Sequence, residues 1–214
     1  MGDARAPRPP SRAGRPAAGE STATRERLLA ACWDLLLGSS DGGPPPTVAA
    51  VCAAVGCTPP TLYHHFGNLA ELRRAACAAG FARWSASLEA AIRPDDAPRD
   101  RLAQRGAAYL AWGIANPAAY RVLFLERSET PADHPAPGPG FEPLLVDLGR
   151  LLGLDPADPR VAVAALAHWS AVHGLTCLAL TNPELPAATL DLVLAQLTAS
   201  LAGADPQPRA PEGS

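Results

Sequence analysis

Apolar residues recur along most of the chain with the spacing of amphipathic helices, and no stretch shows the regular alternation of strands. Pro, Gly, Asp and Asn interrupt this spacing at intervals, where they end or bend helices. The pattern predicts an all-α fold with about nine helices, at residues 22–38, 47–55, 59–65, 68–92, 98–115, 117–126, 141–153, 158–181 and 187–202.

The two ends of the chain lack this periodicity. Residues 1–20 and 203–214 are rich in Pro, Gly, Ala and Arg, and such segments bury too little apolar surface to offset the entropy of ordering. We expect two disordered tails around a head of residues 21–67 and a helical-bundle body of residues 68–202. The Pro/Gly-rich segment from Arg127 to Gly140 predicts a long, mobile loop within the body.

The two last predicted helices are unusually apolar. Residues 161–180 carry no charge, but Ala, His and Gly interrupt the segment and it lacks the aromatic and basic flanks of a membrane span, so we expect no membrane insertion. Such a helix must be buried on nearly every side. We therefore expect a homodimer with a four-helix interface, to which each subunit contributes this helix and the apolar stripe of the last one, Leu190, Val193, Leu194, Leu197 and Leu201. The alternative is that both helices fill the core of a single chain.

The chain is long and apolar enough to form a hydrophobic core, and its charge is distributed unevenly. Of 214 residues 48% are hydrophobic, and the net charge of -3 does not by itself indicate a nucleic-acid partner. Residues 1–20 carry +2, residues 21–75 carry zero, and the remainder therefore carries -5. An acidic body with a neutral-to-basic end suits a protein that presents only that end to DNA.

The five cysteines indicate neither a disulfide framework nor a metal site. They are scattered and odd in number, which is typical of apolar filling in a reduced compartment. The N-terminal residues contain no apolar segment of the kind found in secretory signals, so we expect a cytoplasmic protein. Around the turn, Cys52 and Cys57 are expected to be buried and inert.

The segment Thr47–Phe66 carries the pattern of a helix-turn-helix. Thr47 can cap a short helix, Gly56 supplies the left-handed turn, and Thr58 can cap a second helix that starts on prolines. Leu62 and Phe66 face inward, which leaves polar groups suited to base edges and phosphates outside. The candidate DNA-binding side chains are Thr47, Thr58, Pro60, Thr61, Tyr63, His64 and His65.

Thr47 to Leu72 resembles the signature of the tetracycline-repressor (TetR) family. The pattern of a helix, a Gly turn, Ser/Thr and then Leu-Tyr-x-His-Phe appears here as Val55-Gly56-Cys57-Thr58-Pro59-Pro60-Thr61-Leu62-Tyr63-His64-His65-Phe66. The resemblance implies a dimeric regulator that contacts operator DNA, with Tyr63 and Thr47 mostly on phosphates. Leu69 stands where the family usually has a phosphate-binding Lys. The Arg-bearing tail could compensate by contacting DNA, or it is simply solvated.

The body is similar to the family's Trp-His-Gly (WHG) subtype. Trp169, His173 and Gly174 carry that likeness, together with the Pro-x-x-Tyr-Arg-x-x-Phe stretch of residues 117–124. Apolar walls with a few polar tips are typical of a small-molecule pocket and equally of a packed core. The candidate effector-pocket residues are Arg105, Tyr109, Trp112, Tyr120, Phe124, Trp169, His173 and Cys177.

These features favour a one-component transcriptional repressor that a small hydrophobic or amphiphilic effector releases from double-stranded operator DNA. An activator, or a small-molecule-binding protein that has lost operator recognition, are the alternatives. We expect no enzyme activity, cofactor or metal, because the chain offers no converging acid, base and nucleophile and only a weak two-ligand pair in His173 and Cys177. The effector, the operator and the target genes are not encoded in these motifs.

Overall fold

The structure, a computed structural model, describes residues 18–126 and 140–201. Within these ranges the chain is helical, without strands, which confirms the predicted all-α fold. In chain order the helices are α1 (Ala18–Ser40), α2 (Val48–Val55), α3 (Pro59–Phe66), α4 (Leu69–Glu89), α5 (Pro98–Ala115), α6 (Pro117–Tyr120) continued by a π-helix (Arg121–Leu125), α7 (Phe141–Leu152), α8 (Pro159–Thr181) and α9 (Ala187–Leu201).

Most predicted helix boundaries agree with the structure to within one or two residues, and three points differ. Helix α1 begins at Ala18, inside the segment expected to be a disordered tail, and α4 ends at Glu89 rather than at residue 92. The single helix expected at 117–126 is a short α-helix followed by a π-helix. The rest of the two predicted tails, and the predicted loop up to Gly140, lie outside the described residues.

The head is a compact unit of α1, α2, α3 and the first turns of α4. Its centre is formed by Leu28, Val51, Leu62 and Leu72, none of which has measurable solvent exposure. Burial of a Leu or Val side chain contributes on the order of 1.5 to 3 kcal/mol. These contacts therefore hold α3 firmly against the other head helices.

The body surrounds two further apolar clusters. One is rich in aromatic side chains from α4, α5, α8 and the α6 segment, by which we mean α6 and its π-helical continuation (residues 117–125), with Leu190 and Leu194 of α9 beside them. The other joins α5, α7 and the first half of α8 through Leu102, Leu148 and Val161. Helix α8 contributes to both clusters and is the central element of the body.

The head and the body are packed against each other along α4 and the α6 segment. Val122 of the π-helix belongs to the head cluster, and Arg121 beside it forms an ion pair with Asp41 of the head at 2.9 Å. On the other side, the ring of Trp33 lies so close to Gly80 of α4 that a Cβ atom there would be 2.6 Å from it. A shift of the α6 segment would therefore change its contacts with the head.

Helix α8 is long and apolar enough to cross a membrane by length and composition, and one third of its most apolar window is buried. Its buried side packs on α5, α7 and α9. Its other side exposes large apolar groups, among them Val163 (69%), Leu166 (55%) and Leu178 (54%). The expectation that this helix is buried on nearly every side is therefore not met within one chain.

Candidate DNA-reading surface and effector site

The two ends of α2 are fixed by the residues that the sequence indicated. The side-chain oxygen of Thr47 accepts a hydrogen bond from the backbone N–H of Ala50 at 3.1 Å, as an N-cap does. Gly56 has φ 72° and ψ 37°, the left-handed conformation that a residue with a side chain rarely adopts. The predicted cap and the predicted turn are both confirmed.

Helix α3 has one anchored face and one free face. Leu62 is fully buried and Phe66 is 8% exposed, and both pack in the head cluster. On the opposite side Tyr63 is 48% exposed, and His64 is exposed as well. A short helix held in this way presents a phenol and an imidazole with little freedom to turn away.

The cap that Thr58 was expected to form is not made. Thr58 has the extended backbone of an N-cap residue, but its hydroxyl makes no capping bond and lies 3.2 Å from the hydroxyl of Thr61 instead. Helix α3 begins at Pro59, and Pro60 is exposed. The two hydroxyls form a small polar pair at the first turn of the helix.

His65 differs from its neighbour His64. Its side chain is half-buried, and the two imidazole rings lie 5.4 Å apart. Burial lowers the pKa of His65, and the nearby charges of His64 and Arg25 lower it further. Of the two histidines, His64 is exposed to solvent, whereas His65 packs beside Phe66.

Arg25 of α1 lies beside α3, and no pattern in the sequence marks it. Its guanidinium carbon lies 4.9 Å from the ring centre of Phe66, which places a cation beside the end of α3. Arg is the only basic residue type in this chain, so its count carries little information. Only the packing of α1 on α3 distinguishes Arg25 from the other arginines.

Leu69, at the first position of α4, is half-buried and packs against the head cluster. The N-terminus of α4 is capped by Asn68, whose side-chain oxygen accepts a hydrogen bond from the N–H of Glu71 at 2.8 Å. This position therefore serves packing and supplies no cation. The Arg-bearing tail expected to compensate lies outside the described residues, apart from the start of α1.

Six of the eight candidate effector residues come together in the body. His173 is at their centre: its Nδ1 lies 2.5 Å from the hydroxyl of Tyr120 and 3.0 Å from that of Tyr109, and its Nε2 lies 3.7 Å from Sγ of Cys177. The ring of Trp169 stacks on His173 at 5.0 Å, and that of Phe124 lies at 6.0 Å. We call these six residues the His173 cluster.

The His173 cluster is buried unevenly. Tyr120 is fully buried and Tyr109 is 4% exposed, and burial raises the pKa of both phenols. Burial also lowers the pKa of His173, so that its imidazole is neutral at neutral pH. In contrast, Phe124, Trp169, His173 and Cys177 are only half-buried. The tyrosines thus form the inner side of the cluster, and the thiol lies on its outer side.

Arg105 and Trp112 are not part of this cluster of contacts. Arg105 is 5% exposed and forms ion pairs with Asp147 of α7, at 3.0 Å, and with Glu89 at the end of α4. Its charge is therefore committed to holding three helices together. Trp112 is half-buried and packs against the aromatic core of the body.

The apolar stripe of α9 faces mainly inward. Leu190 and Leu194 are each 6% exposed and lie in the chain's own core, where Leu194 contacts the backbone at Gly106. Leu197 and Leu201 are half-buried, and Val193 is 39% exposed. Leu190 and Leu194 are therefore not available to a second copy, because α9 needs them to pack on α5 and α8. The most exposed large apolar residue of this helix is Leu192, at 72%.

Cysteine burial also differs in part from expectation. Cys32 and Cys52 are buried, and burial raises the pKa of Cys32 to about 12. Cys57, expected to be buried, is half-buried at the turn. Within residues 18–126 and 140–201 there is no group of three or more His, Cys, Asp or Glu placed to hold a metal ion.

The arrangement is that of an all-helical protein with a helix-turn-helix head on a larger helical body. Residues 102–202 match a family model described as tetracyclin repressor-like, C-terminal domain. The body is therefore similar to the C-terminal domain of the TetR-like proteins. Within that family, the Trp-His-Gly subtype stays a prediction.

Solved structures share this fold at low sequence identity. A TetR-like transcriptional regulator from Rhodococcus sp. RHA1 is 20% identical with a TM-score of 0.61, over 85% of this chain and 97% of the other. A tetR-family transcriptional regulator from Streptomyces coelicolor is 17% identical with a TM-score of 0.62, over 85% and 80% of the two chains. A tetR-family regulatory protein from Rhodococcus RHA1 is 23% identical with a TM-score of 0.56, over 84% and 95%. None of the curated proteins matches the chain significantly.

Proposed function

We propose that this chain is a cytoplasmic, dimeric transcriptional repressor whose α3 reads operator DNA and which a small hydrophobic or amphiphilic effector releases. The observation that carries the proposal is the division of α3 into a buried face, Leu62 and Phe66, and an exposed polar face with Tyr63 and His64. Such a helix suits the major groove, where hydroxyl and imidazole groups find base edges and phosphates.

Several neighbouring groups support the same surface. Thr47 lies exposed at the start of α2, and the hydroxyls of Thr58 and Thr61 stand at the start of α3. Arg25 supplies a cation beside the end of α3. Phosphate contacts from such groups fix the register of a protein on DNA, while base contacts supply specificity.

The dimer rests on apolar residues other than the predicted stripe. Val163, Leu166 and Leu178 of α8 and Leu192 of α9 are each more than half exposed. At about 25 cal/mol per Å² of buried apolar surface, covering such groups favours association. A second copy is the proposed cover, because two copies would also supply the paired reading helices that a two-half-site operator requires.

The effector site is proposed at the His173 cluster. Aromatic rings with a few polar tips are typical of sites for hydrophobic or amphiphilic ligands. The π-helix that follows Tyr120 packs against the head through Val122 and Arg121. A ligand at Tyr120 would release the DNA if it favoured a position of this segment that separates the two reading helices.

Selection from a pool of random DNA duplexes tests the proposal. The purified full chain should enrich a two-fold symmetric sequence whose half-sites lie one or more DNA turns apart, about 34 to 36 Å per turn. Enrichment of no common sequence would contradict operator reading. It would favour the second candidate, a small-molecule-binding protein that has lost operator recognition, for which the absence of a cation at Leu69 is the supporting observation.

The sign of regulation has its own test. A promoter that overlaps the selected sequence should become less active when the protein is present. Higher activity would identify an activator, because the sign depends on where the operator lies relative to the promoter.

A further inference from the structure

The thiol of Cys177 lies beside a base that is itself oriented by a third group. Nε2 of His173 is 3.7 Å from Sγ of Cys177, within the range of a hydrogen bond to sulfur. On the other side of the ring, Nδ1 faces the hydroxyl of Tyr120 at 2.5 Å. A nucleophile, a base and an orienting group in sequence are the arrangement that activates a nucleophile in proteins.

The contacts of Tyr120 are compatible with the tautomer of His173 that carries its hydrogen on Nδ1. The hydroxyl of Tyr120 also lies 3.4 Å from the backbone carbonyl oxygen of His173, to which it can donate. Its oxygen then accepts the hydrogen of Nδ1, which leaves the lone pair of Nε2 against the thiol. When Nε2 takes the thiol proton, the imidazolium donates to Tyr120 on one side and to the thiolate on the other.

Cys32, Cys52 and Cys57 lack this setting or are less accessible. Cys32 is fully buried and Cys52 is 4% exposed. Cys57 is half-buried like Cys177, but its thiol makes no hydrogen bond to a histidine among the described residues. Cys57 is therefore a comparison thiol within the same molecule.

From this geometry we infer that Cys177 is a reactive thiol, activated by His173, and that the effectors of this site include soft electrophiles such as α,β-unsaturated carbonyl compounds. The thiol proton passes to Nε2, and sulfur forms a bond to the β-carbon. The π-electron pair moves to the α-carbon, which then takes the proton back from the imidazolium. One S–H bond and one C=C π bond are replaced by one S–C and one C–H bond, and no oxidant is needed.

The aromatic neighbours suit this class of ligand. Trp169 stacks on His173, and Phe124 and Tyr109 lie around the same ring, so that a flat, conjugated molecule would meet flat apolar surfaces next to the thiol. The adduct would stand against Tyr120, the residue that precedes the π-helix. Its effect on DNA rests on the proposed function, whereas its formation does not.

N-ethylmaleimide, an α,β-unsaturated imide, is the probe. With less than one equivalent added to the folded full chain, peptide mass mapping should find most of the adduct on Cys177 and little on Cys57. Replacement of His173 by Gln should slow the reaction of Cys177 by at least about 10-fold. A general base typically contributes about 100- to 10,000-fold to a rate, so this is a conservative threshold. Preferential labelling of Cys57, or an unchanged rate in the His173→Gln variant, would overturn the inference.

The pH profile of the parent protein gives a second readout that does not depend on a variant. Between about pH 6.5 and 8, an unassisted thiol reacts about ten times faster for each added pH unit, because only its thiolate is nucleophilic. Burial lowers the pKa of His173, so the neutral base is present throughout this range. The rate at Cys177 should therefore be nearly flat where that at Cys57 rises. Parallel profiles for the two thiols would overturn the inference.

DNA binding by the labelled and the unlabelled protein distinguishes the proposed function from the proposed reactivity of Cys177. The labelled protein should lose affinity for the selected duplex, and a Cys177→Ser variant treated in the same way should keep it. Undiminished DNA binding by protein labelled at Cys177 would overturn the assignment of electrophiles as effectors. If the unlabelled protein binds no duplex at all, the proposed function fails, while the labelling result still decides the chemistry of Cys177.

Discussion

Single side chains supply most of the chemistry proposed for this protein, and several of them were visible in the sequence. The cap at Thr47, the turn at Gly56 and the inward side of Leu62 and Phe66 follow from local preferences of the backbone, which need no knowledge of the rest of the fold. Arg25 was not visible in this way, because its value depends on the ring of Phe66 forty-one residues further along the chain.

Arg25 provides the first prediction at this scale. Since no cation stands at Leu69, replacement of Arg25 by Ala should weaken binding to all duplexes alike and reduce the slope of log affinity against log salt by about 0.9 for the lost phosphate contact. Fluorescence anisotropy at several salt concentrations measures this slope. An Arg99→Ala variant, changed at an exposed position of the body, should keep the parent slope. An unchanged slope for Arg25→Ala would remove Arg25 from the DNA surface.

Asp147 provides the second. It is fully buried between the guanidinium groups of Arg101, at 2.7 Å, and Arg105, at 3.0 Å. Asp147→Asn would leave Arg101 without its counter-charge and Arg105 with Glu89 alone, and removal of one partner from a buried ion pair costs about 3 to 5 kcal/mol. Urea unfolding should show this loss, and the exposed Asp191→Asn should change little. Equal stabilities for the two variants would mean that the ion pairs contribute nothing net.

At the scale of elements, the order and the bounds of the helices were predictable, and their orientation was not. Pro and Gly mark helix ends locally, so the boundaries of α5, α8 and α9 agreed closely with expectation. The stripe of α9 was also correct as a stripe, but the sequence does not say whether α5 or a second copy covers it. The π-helix at residues 121–125 was missed, because nothing in its residues distinguishes it from a regular helix.

The contact of α1 with α4 gives a prediction at this scale. A Cβ atom on Gly80 would lie 2.6 and 2.7 Å from two ring carbons of Trp33, and 3.2 Å from Leu123. Gly80→Ala should therefore force the helices apart and cost about 1 to 3 kcal/mol of stability. Gly174 is the matched control, since it lies within α8 and a Cβ there meets nothing within 4 Å. Gly174→Ala should stabilise by about 0.5 to 1 kcal/mol through helix propensity.

Thermal or urea unfolding measures the change in stability of the Gly80→Ala and Gly174→Ala variants. Opposite signs are expected, because the same substitution enters a closed contact in one helix and open space in the other. A neutral or stabilising Gly80→Ala would show that α1 and α4 are packed less closely than described, and would weaken the proposed link between head and body.

At the scale of the whole molecule, the candidate effector cluster was largely predictable as a set, although its internal geometry was not. Trp169, His173 and Cys177 share one side of α8 by their spacing, and this part follows from the helix period. That Tyr109 and Tyr120 reach the same nitrogen of His173 depends on how α5 and the α6 segment pack. Arg105 was predicted to lie with this cluster but pairs with Asp147 instead. The sequence does not reveal this pair, because the two residues are forty-two positions apart.

Dimerisation is the prediction that belongs to this scale. A Leu166→Glu, Leu192→Glu double variant would place charges on the exposed apolar sides of α8 and α9, where a second copy is proposed to bind. Sedimentation equilibrium should find monomers at concentrations where the parent is dimeric. Leu125→Glu is the control, because Leu125 is 47% exposed but lies on the π-helix. A double variant that remains dimeric would place the interface elsewhere.

The central claim is that the exposed side of α3 reads DNA, and one measurement tests it most directly. The affinity of the parent for its selected duplex, and for the DNA upstream of its own gene, is compared by anisotropy with that of a Tyr63→Ala, His64→Ala variant. Both side chains are exposed, so the variant should keep the circular dichroism and unfolding transition of the parent.

Loss of Tyr63, which the resemblance places mostly on phosphates, should weaken binding to both duplexes alike. Loss of His64 should reduce discrimination between the selected and a random duplex by about 1 to 3 kcal/mol, the value of one good base contact. The exposed Glu184→Ala in the body should retain it. A folded double variant that discriminates as well as the parent would contradict the assignment of α3 as the reading helix.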